Sequence, residues 1–395
     1  MKKKWFIAAA LAFIALFALV GGWLYARSTV ADEYYVTDKA SFSLNNSLIK
    51  IGIGQKAATA SVGKSVYTGS AKLFGVIPLK SVRLNLVSDK SVVVGGEAFG
   101  LKMYTNGLIV VGFSDIQTKD GRENPAKEAG IEKGDLLKTL DGTLLRENSD
   151  VSRLINEAGG KEVTLTLERN GEKKTVTLTS ALCSEDGKYK AGMWVRDSAA
   201  GIGTVSFYDP ETGMFVGLGH GIYDVDTDTL LPAAKGQIVS TTVTSVKKGT
   251  KGSPGELQGI FEQEKVIGEL YGNTVLGVYG RLSSGVMGES YSIALKQDIK
   301  VGEAKIITPK IGGGKEEFSV EILSVTNDDK GKGKNMVIEI TDERLISERG
   351  GIVQGMSGSP IIQEGRLVGS VTHVLVNNPA MGYGIFAERM YELIG

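Results

Sequence analysis

Over residues 192–395 the sequence places short apolar runs between glycine-rich turns, with little of the periodicity of amphipathic helices. Val, Ile and Thr are common in these runs, and such residues favour strands. Glycine accounts for 53 of the 395 residues, nearly twice an average share of about 7%. About 200 residues of short strands suit a double β-barrel or a β-sandwich. The sequence therefore predicts a mainly β fold.

One of these turns carries two serines. The segment 350–363, GGIVQGMSGSPIIQ, joins two apolar runs through a Gly/Ser turn, and it resembles the active-site turn of chymotrypsin-like serine peptidases. The resemblance implies that Ser357 is the nucleophile and that the N–H groups of Gly355 and Ser357 form an oxyanion hole. Ser359 is the competing nucleophile, but it precedes Pro360, which favours extended backbone at a strand entry.

The chain has only two histidines, so a serine nucleophile that needs an imidazole base must use His220 or His373. His220 follows an apolar run and stands between two glycines, which leave room for a substrate. It precedes the serine, in the order found in chymotrypsin-like enzymes. His373 follows Ser357 and lies with Val371 and Thr372 on the strand predicted to bind the substrate backbone, so we interpret it as a pocket residue.

The acid that would orient the histidine has two candidate sources. Asp224, Asp226 and Asp228 cluster just after the histidine, although such a density of carboxylates is typical of a solvated loop. Asp342 stands after the apolar run 336–340 and before the serine turn. Position along the chain alone leaves the choice open.

Residues 95–182 carry a different pattern, with hairpin turns and one capped helix. The run 125–135, PAKEAGIEKGD, resembles the signature of PDZ domains. That resemblance implies that Phe99, Gly100 and Leu101 form the loop whose backbone N–H groups bind the C-terminal carboxylate of a peptide. The peptide then adds a strand to the edge of the sheet.

The N-terminus predicts a membrane anchor. Lys2, Lys3 and Lys4 precede an uncharged run over 5–26 that Arg27 closes. As a helix this run would be roughly 33 Å long, against about 30 Å of hydrocarbon in a bilayer. The lysines place the N-terminus in the cytoplasm and the rest of the chain outside. A cleaved signal peptide is the alternative, although its apolar region is usually only roughly 7–15 residues long.

Composition excludes several classes of function. Lys and Arg together number 45, as do Asp and Glu, and a net charge of zero argues against a nucleic-acid binder. Two distant histidines and the single cysteine, Cys183, cannot build a usual zinc centre, so we predict no metal and no cofactor. One cysteine also excludes an intramolecular disulfide.

These patterns divide the chain into five segments. They are a basic tip and transmembrane anchor over 1–30, a β-rich segment of unknown role over 31–94, a PDZ domain over 95–182, a polar linker over 183–191 and a serine peptidase domain over 192–395.

Several segments together closely resemble the stage IV sporulation B (SpoIVB) peptidases of spore-forming Firmicutes. They are GLGHGIYD, the strand end EITD, GGIVQGMSGSPIIQ and VGSVTHVLVNNPAMGYGIF, preceded by the PDZ-like segment and the anchor. The resemblance implies a catalytic triad of Ser357, His220 and Asp342. It also implies a PDZ domain followed by a chymotrypsin-like double β-barrel, held at the membrane by an N-terminal transmembrane helix.

The same resemblance implies a membrane-anchored serine endopeptidase in the space between mother cell and forespore. Such an enzyme cuts itself, which can release it from its anchor, and then cleaves a regulatory membrane protein. That cleavage frees an intramembrane metalloprotease and activates a late sigma factor. The expected partners are this substrate, the enzyme itself, a peptide ligand for the PDZ domain and the membrane, with no nucleic acid.

Two other functions remain to be weighed. A PDZ scaffold whose C-terminal β-domain is catalytically inactive would need no contact between His220 and Ser357. A Ser/Lys C-terminal processing peptidase also places a PDZ domain first, but it would leave the Gly-His-Gly segment unexplained.

Overall fold

The structure is a computed structural model that describes residues 2–36, 48–56, 65–86, 89–284, 288–326 and 333–395. Its helices are α1 (Lys2–Thr29), α2 (Pro125–Glu128), α3 (Asn148–Ala158), α4 (Glu343–Arg349) and α5 (Ala387–Tyr391), with a 3₁₀ turn over Lys296–Asp298.

Strands make up most of the regular structure, so the predicted mainly β fold is confirmed. In chain order they are β1 (Glu33–Val36), β2 (Ile49–Lys56), β3 (Ser65–Leu73), β4 (Ile77–Leu86), β5 (Ser91–Val94), β6 (Ala98–Phe113), β7 (Ile116–Gln117), β8 (Arg122–Glu123), β9 (Leu136–Leu140), β10 (Thr143–Leu144), β11 (Glu162–Arg169), β12 (Glu172–Thr179), β13 (Ala181–Leu182), β14 (Tyr189–Lys190), β15 (Met193–Tyr208), β16 (Met214–Gly217), β17 (Ala233–Lys247), β18 (Glu256–Thr274), β19 (Gly277–Leu282), β20 (Ser290–Ser292), β21 (Gly302–Pro309), β22 (Lys315–Val325), β23 (Met336–Ile340), β24 (Pro360–Gln363), β25 (Arg366–Leu375) and β26 (Asn378–Phe386).

Residues 1–90 and 292–299 form one compact unit. Its sheet has the strand order β1-β4-β3-β2, with β1 parallel to β4 and the other pairs antiparallel. Leu79, Val82 and Leu84 of β4 are buried and share a core with Tyr34. The alternation of apolar and polar residues predicts these strands, but no local pattern shows that residues 292–299 join them.

α1 occupies the run that the sequence predicts to be a transmembrane helix. The side chains of residues 2–12, including the predicted basic tip, lie outside the described part of the structure. Among the residues that are described, none of the helices combines the length and the apolar character needed to cross a membrane.

Residues 91–291 and 300–395 form the second compact unit, which contains two β-barrels. In the first barrel β6, β17, β18, β19, β16 and β15 pair in that order, and β15 pairs again with β6 to close the ring. Phe99 packs edge-to-face on Phe215 in its core, with ring centroids 5.9 Å apart. Ile238 and Val278 complete the same core.

The second barrel closes in the order β21-β22-β23-β26-β25-β24. Phe318, Val320 and Ile322 point inward from alternate positions of β22 and are buried. A PDZ domain together with protease-like barrels is the architecture that the sequence predicts, and this arrangement is confirmed.

The PDZ domain is formed between β6 and β15. The strands β9, β11 and β12 extend the sheet from the C-terminal half of β6. Val151 of α3 packs in one core with Leu165 of β11. The side chain of Asp150 closes a capping box at the start of α3, and Gly159 ends the helix in the left-handed conformation. These caps are the helix signals that the sequence carries.

The predicted peptide-binding loop lies in the first barrel instead. Phe99, Gly100 and Leu101 belong to β6 and are paired with β15 on one side and β17 on the other. Phe99 and Leu101 are 1% and 4% exposed. A strand with neighbours on both edges offers no backbone N–H groups to a peptide end, so the prediction of a carboxylate site here is wrong. The same apolar-Gly-apolar pattern also suits a central barrel strand.

The polar segment 183–191 is more ordered than a linker. β13 and β14 pair across it, and Cys183 is buried against Ile116 and Ala181. The backbone N–H of Tyr189 donates to Asn156 Oδ1 of α3 at 3.1 Å. The segment therefore packs on the PDZ domain, and its polar residues face outward around a small buried cluster.

Arg349, at the end of α4, has the largest side chain that is fully buried. Its guanidinium pairs with Glu316, donates to Pro309 O at 2.9 Å and lies 5.4 Å from the centroid of the Phe318 ring. Burial lowers the pKa of Arg349. These contacts join α4, which precedes the serine turn, to the second barrel.

We expect Arg349→Ala to lower the free energy of unfolding by about 3 kcal/mol, because it leaves Glu316 without its buried partner. Urea denaturation followed by circular dichroism measures this loss. Arg344→Ala is the matched control, since Arg344 pairs with Asp342 but its side chain is 65% exposed. The control substitution should lower the free energy of unfolding by less than about 1 kcal/mol. Equal losses for the two variants would contradict the assigned role of Arg349.

Candidate active site

The serine turn places its two hydroxyls in opposite environments. Ser357 borders an open cavity, and its hydroxyl donates to Thr372 O at 2.7 Å. Ser359 is 0% exposed, and its hydroxyl has no hydrogen-bond partner within the described chain. Of the two serines that the sequence offers, only Ser357 is placed to meet a substrate.

Two hydroxyl residues of β15 hold this turn in place. Thr204 Oγ1 donates to Gly355 O at 2.7 Å, and Thr204 N donates to Ser357 O at 3.1 Å. Ser206 Oγ donates to Gly358 O at 2.8 Å. Because β15 belongs to the first barrel and the turn to the second, these bonds fix Ser357 across the junction between the two barrels.

Reasoning from the sequence missed Thr204 and Ser206. They alternate with Val205 and Phe207, and all four are buried, so both faces of the strand are covered. A hydroxyl on a strand that is buried on both faces needs an acceptor. That pattern is the signal in the sequence, although it does not say which segment supplies the acceptor.

The backbone before the serine is oriented by the first barrel. Gln354 O accepts a hydrogen bond from Leu257 N at 2.8 Å. In a trans peptide the C=O and the next N–H point in opposite directions, so the N–H of Gly355 points away from Leu257. Neither this N–H nor that of Ser357 has a backbone acceptor among the described residues. An oxyanion hole requires donors in this free state.

Gly358 shows why the turn needs glycine after Ser357. Its φ of 98° lies in the region that favours glycine. A Cβ at this position would collide with Thr204 O and would lie 2.6 Å from Leu218 N. The close approach of β15 and of the segment before the histidine is therefore possible only without a side chain here.

His220 is presented by a strained turn after β16. Leu218 and Gly219 have φ values of 66° and 69°, and positive φ is uncommon for a residue other than glycine. His220 Nδ1 lies 2.8 Å from Gly221 O. A carbonyl oxygen only accepts, so Nδ1 carries the proton and Nε2 keeps its lone pair. Burial lowers the pKa of His220, and the bond to Gly221 partly opposes this.

The second histidine lies against the first. The ring centroids of His220 and His373 are 4.8 Å apart, with the planes tilted by 36°. Loss of solvation, and then the nearby His220 and Lys334, lower the pKa of His373 to about 4, even though its side chain remains partly exposed. His373 is therefore a neutral wall residue of the cavity at neutral pH.

Asp342 is not in contact with His220. Its side chain caps α4 by accepting from Arg344 N at 3.0 Å, and it pairs with the Arg344 guanidinium at 2.8 Å. The bond from Arg344 is the main reason why the pKa of Asp342 is lowered. The prediction that Asp342 is the acid of the triad does not fit this arrangement, because a strand-end motif does not determine which way its carboxylate points.

Two of the other candidate acids, Asp224 and Asp226, also have structural partners. Asp224 is buried, and its carboxylate pairs with Arg196 and accepts from Thr227 N at 2.9 Å. Asp226 pairs with the same arginine at 2.8 Å. Within the described residues the atom that holds the His220 tautomer is therefore the Gly221 carbonyl and not a carboxylate.

The predicted substrate strand is only partly available. Val371 and Thr372 of β25 are buried, and Val371 O accepts from Gly358 N at 2.7 Å. Thr372 Oγ1 donates to Gly333 O at 2.8 Å. Of the three residues predicted to line the substrate site, His373 is the exposed one. β25 therefore reaches the cavity at His373 and at Thr372, whose carbonyl oxygen accepts from the Ser357 hydroxyl.

The histidine and the serine share one cavity. His220 follows β16 of the first barrel, Ser357 lies in the turn before β24, and His373 lies on β25. All three line a cavity of about 530 Å³, together with Gly355 and Thr372. Residues far apart along the chain thus place an imidazole, a hydroxyl and two N–H groups around one space, and these are the kinds of group that acyl transfer uses.

Comparison with known families agrees with this arrangement. A family model described as SpoIVB peptidase S55 matches residues 187–391, and a PDZ domain model matches residues 101–179. The chain belongs to the SpoIVB peptidase family. Its described residues thus combine a SpoIVB peptidase region with a PDZ domain.

Similar curated proteins match over short stretches. A protein named as a zinc metalloprotease from Mesorhizobium japonicum is 35% identical over 63 residues, which cover 16% of this chain and 17% of that protein. A protein of the same description from Lactococcus lactis is 32% identical over 95 residues, which cover 24% of this chain and 20% of that protein. The chain thus spans about a fifth or less of the length of these relatives.

Solved structures are similar at low identity. The PDZ domain of the SdrC-like protein from Listeria monocytogenes is 18% identical, with 23% of this chain and 87% of that chain covered and a TM-score of 0.19. The Rv3671c protease of M. tuberculosis in an inactive form is 14% identical, with 49% and 84% covered and a TM-score of 0.29. The HtrA-type protease AlgW with a decapeptide is 10% identical, with 60% and 65% covered and a TM-score of 0.30.

We expect Thr204→Val to reduce kcat/KM for a peptide substrate by at least tenfold. The substitution keeps the shape of the side chain but leaves the carbonyl of Gly355 without its donor, and such a loss costs about 1–3 kcal/mol. Thr244→Val is the control, because the Thr244 hydroxyl bonds Gln258 O at an exposed position of the same barrel. Equal activity of both variants and the wild type would show that the turn does not depend on β15.

The pH profile of the enzyme should reflect the lowered pKa of His220. The base is active when neutral, and burial shifts its protonation below the usual value near 6.5. The acidic limb of kcat/KM for the wild type should therefore fall below pH 6.5, so that activity persists in mildly acidic buffer. Initial rates between about pH 4 and 8 measure this limb. A midpoint above 7 would contradict the burial of the base.

Proposed function

We propose that this protein is a membrane-tethered, extracytoplasmic serine endopeptidase that uses Ser357 as nucleophile and His220 as general base. The observation that carries the proposal is the shared cavity, which both residues line together with Gly355, and the N–H groups of Gly355 and Ser357 have no backbone acceptor among the described residues. Membership of the SpoIVB peptidase family supports the same chemistry.

The mechanism follows from the position of each group. Ser357 first rotates its hydroxyl from Thr372 O towards His220 Nε2, which takes the proton as the oxygen attacks the peptide carbonyl. The N–H groups of Gly355 and Ser357 stabilise the oxyanion; a donor of this kind typically lowers the barrier by about 2.7–4 kcal/mol. The imidazolium then gives its proton to the leaving amine, and water hydrolyses the acyl-enzyme by the reverse proton path.

The biological setting is proposed from the family. We infer that the enzyme acts between mother cell and forespore, cuts itself, and processes a regulatory membrane protein whose loss activates an intramembrane metalloprotease and a late sigma factor. Three lysines before the N-terminal apolar run and one arginine after it support a tether with a cytoplasmic N-terminus. Self-cleavage beyond this run would release the catalytic unit.

The PDZ domain then recruits a partner or restrains the enzyme through a surface other than the one predicted from the sequence. Its apolar-Gly-apolar segment is part of the barrel, so a peptide ligand must use another edge.

The scaffold alternative draws on a specific observation: the Ser357 hydroxyl is bonded to Thr372 O, and no carboxylate contacts His220 in the described chain. An inert scaffold could retain this arrangement.

We expect Ser357→Ala to abolish both labelling by a fluorophosphonate and self-cleavage, since loss of a triad nucleophile lowers the rate by roughly 10⁶. Mass spectrometry of the mature N-terminus and of the labelled peptide measures both. Ser359→Ala is the matched control and should keep the label, because Ser359 faces the core. A wild type that takes no label and keeps its original N-terminus would favour the scaffold.

A further inference from the structure

The turn that joins β3 to β4 in the N-terminal unit exposes apolar side chains. Phe74, Val76 and Ile77, here called the apolar tip, are 61%, 77% and 46% exposed. Phe74 and Gly75 have φ values of 54° and 77°, and a positive φ is a genuine outlier for a bulky residue. Asparagine or glycine would turn the chain here at a lower cost. Neither the core nor the backbone therefore explains why a phenylalanine stands at the turn.

The apolar tip lies beside the C-terminal part of α1. Trp23 Nε1 donates to Pro78 O at 3.1 Å, and Arg83 N donates to Asp32 O at 2.8 Å. These two bonds align β4 with the chain that leaves α1, in the same direction, since β1 is parallel to β4. The tip comes just before Pro78, so it points back along α1 towards the N-terminus of the helix.

α1 itself requires an apolar surrounding. Phe13, Ile14, Leu16 and Leu19 are exposed within the described chain. At about 100° per residue these side chains point to different sides of the helix. A helix that is apolar on all sides is stable in a protein core or in a bilayer. The lipid that surrounds a tethering helix is therefore also the medium next to the tip.

Two lysines flank the tip at the level of the tryptophan. Lys50 of β2 lies directly opposite Lys72 of β3, and Lys72 lies opposite Pro78. Like charges in directly opposite positions destabilise a sheet, and neither lysine forms an ion pair among the described residues. Anionic lipid headgroups would supply the missing negative charge. A tryptophan at the same level, as Trp23 is here, is typical of the membrane interface.

We propose that the apolar tip inserts into the extracytoplasmic leaflet beside α1, with Lys50 and Lys72 at anionic headgroups. The inference goes beyond peptide cleavage, and it rests on the membrane tether of the proposed function. A single helix leaves the unit attached to it free to rotate about the helix axis. A second point of contact with the bilayer removes that freedom for the N-terminal unit.

Quenching by brominated lipid measures whether the tip lies in the bilayer. The full chain carries Cys183→Ala, which removes its one cysteine, and bimane is attached at Val76→Cys. In vesicles of phosphatidylcholine and phosphatidylglycerol we expect emission to fall at least about twofold when the acyl chains are brominated, because interfacial segments reach about 5–10 Å into a membrane. Arg83→Cys is the matched control, at an exposed position of the same strand about 16 Å farther along. Its emission should not change.

Substitutions test the residues that the proposal names. Phe74→Asn suits the positive φ, so the hairpin should keep its fold, which circular dichroism checks, while most of the quenching at position 76 is lost. Lys50→Gln combined with Lys72→Gln should remove the gain in quenching that phosphatidylglycerol gives over phosphatidylcholine alone. Quenching that survives Phe74→Asn, or a dependence on phosphatidylglycerol that survives the loss of both lysines, would overturn the assignment.

The outcomes separate the tip from the rest of the proposed function. Fluorophosphonate labelling of the same vesicles reports the peptidase, and flotation reports the tether. A chain that floats and takes the label, but emits equally in both lipids, overturns only the tip. Bimane that is shielded from iodide without being quenched by brominated lipid would assign the tip to a protein partner or a second copy, and would also overturn the proposal. A chain that does not float would sink the tether and the tip together.

Discussion

The hydrogen bonds between β15 and the serine turn are the interaction on which the catalytic geometry depends. Thr204 and Ser206 donate to carbonyls of Gly355 and Gly358, and both side chains are fully buried. Each bond contributes only about 1 kcal/mol net, but a buried group left without a partner costs about 1–3 kcal/mol. The turn therefore cannot shift alone, because its movement would leave buried donors on β15 and buried acceptors in the turn without hydrogen-bond partners. The position of the nucleophile is determined by the contact between the barrels.

The same strand ties the PDZ domain to this contact. The start of β15 pairs with the C-terminal half of β6, where Trp194 lies opposite Gly112, and its end carries Thr204 and Ser206. β6 in turn enters the PDZ sheet through β9 and the first barrel through β17. A PDZ domain built on shared strands is not a detachable module. Removing it at the boundaries that the sequence predicts would cut a barrel strand and leave two ladders unpaired.

Local chemistry explains which parts of the site can be predicted from the sequence. Ser357 and His220 can be predicted because their glycine neighbours indicate turns within a short segment of sequence. The partners of those turns are different: Thr204 and Leu257 meet the serine segment through strand register, which no short motif encodes. The prediction of Asp342 as the acid does not fit the structure for the same reason, since its motif marks a strand end without giving the direction of the carboxylate. Phe99, Gly100 and Leu101 fail because one apolar pattern suits both a PDZ edge and a central barrel strand.

The bond from His220 Nδ1 to the Gly221 carbonyl has a chemical consequence. A carboxylate at this position fixes the tautomer and also stabilises the imidazolium that forms when the base takes the serine proton. A backbone carbonyl fixes the tautomer but carries only a partial charge, so it offsets less of the cost of forming a buried cation. The pKa of His220 is correspondingly low, and proton transfer from the serine is less favourable than in a complete triad. To add the missing charge, Asp342 would have to give up Arg344 and displace a carbonyl that lies next to the histidine in sequence. In this conformation we therefore expect slow turnover.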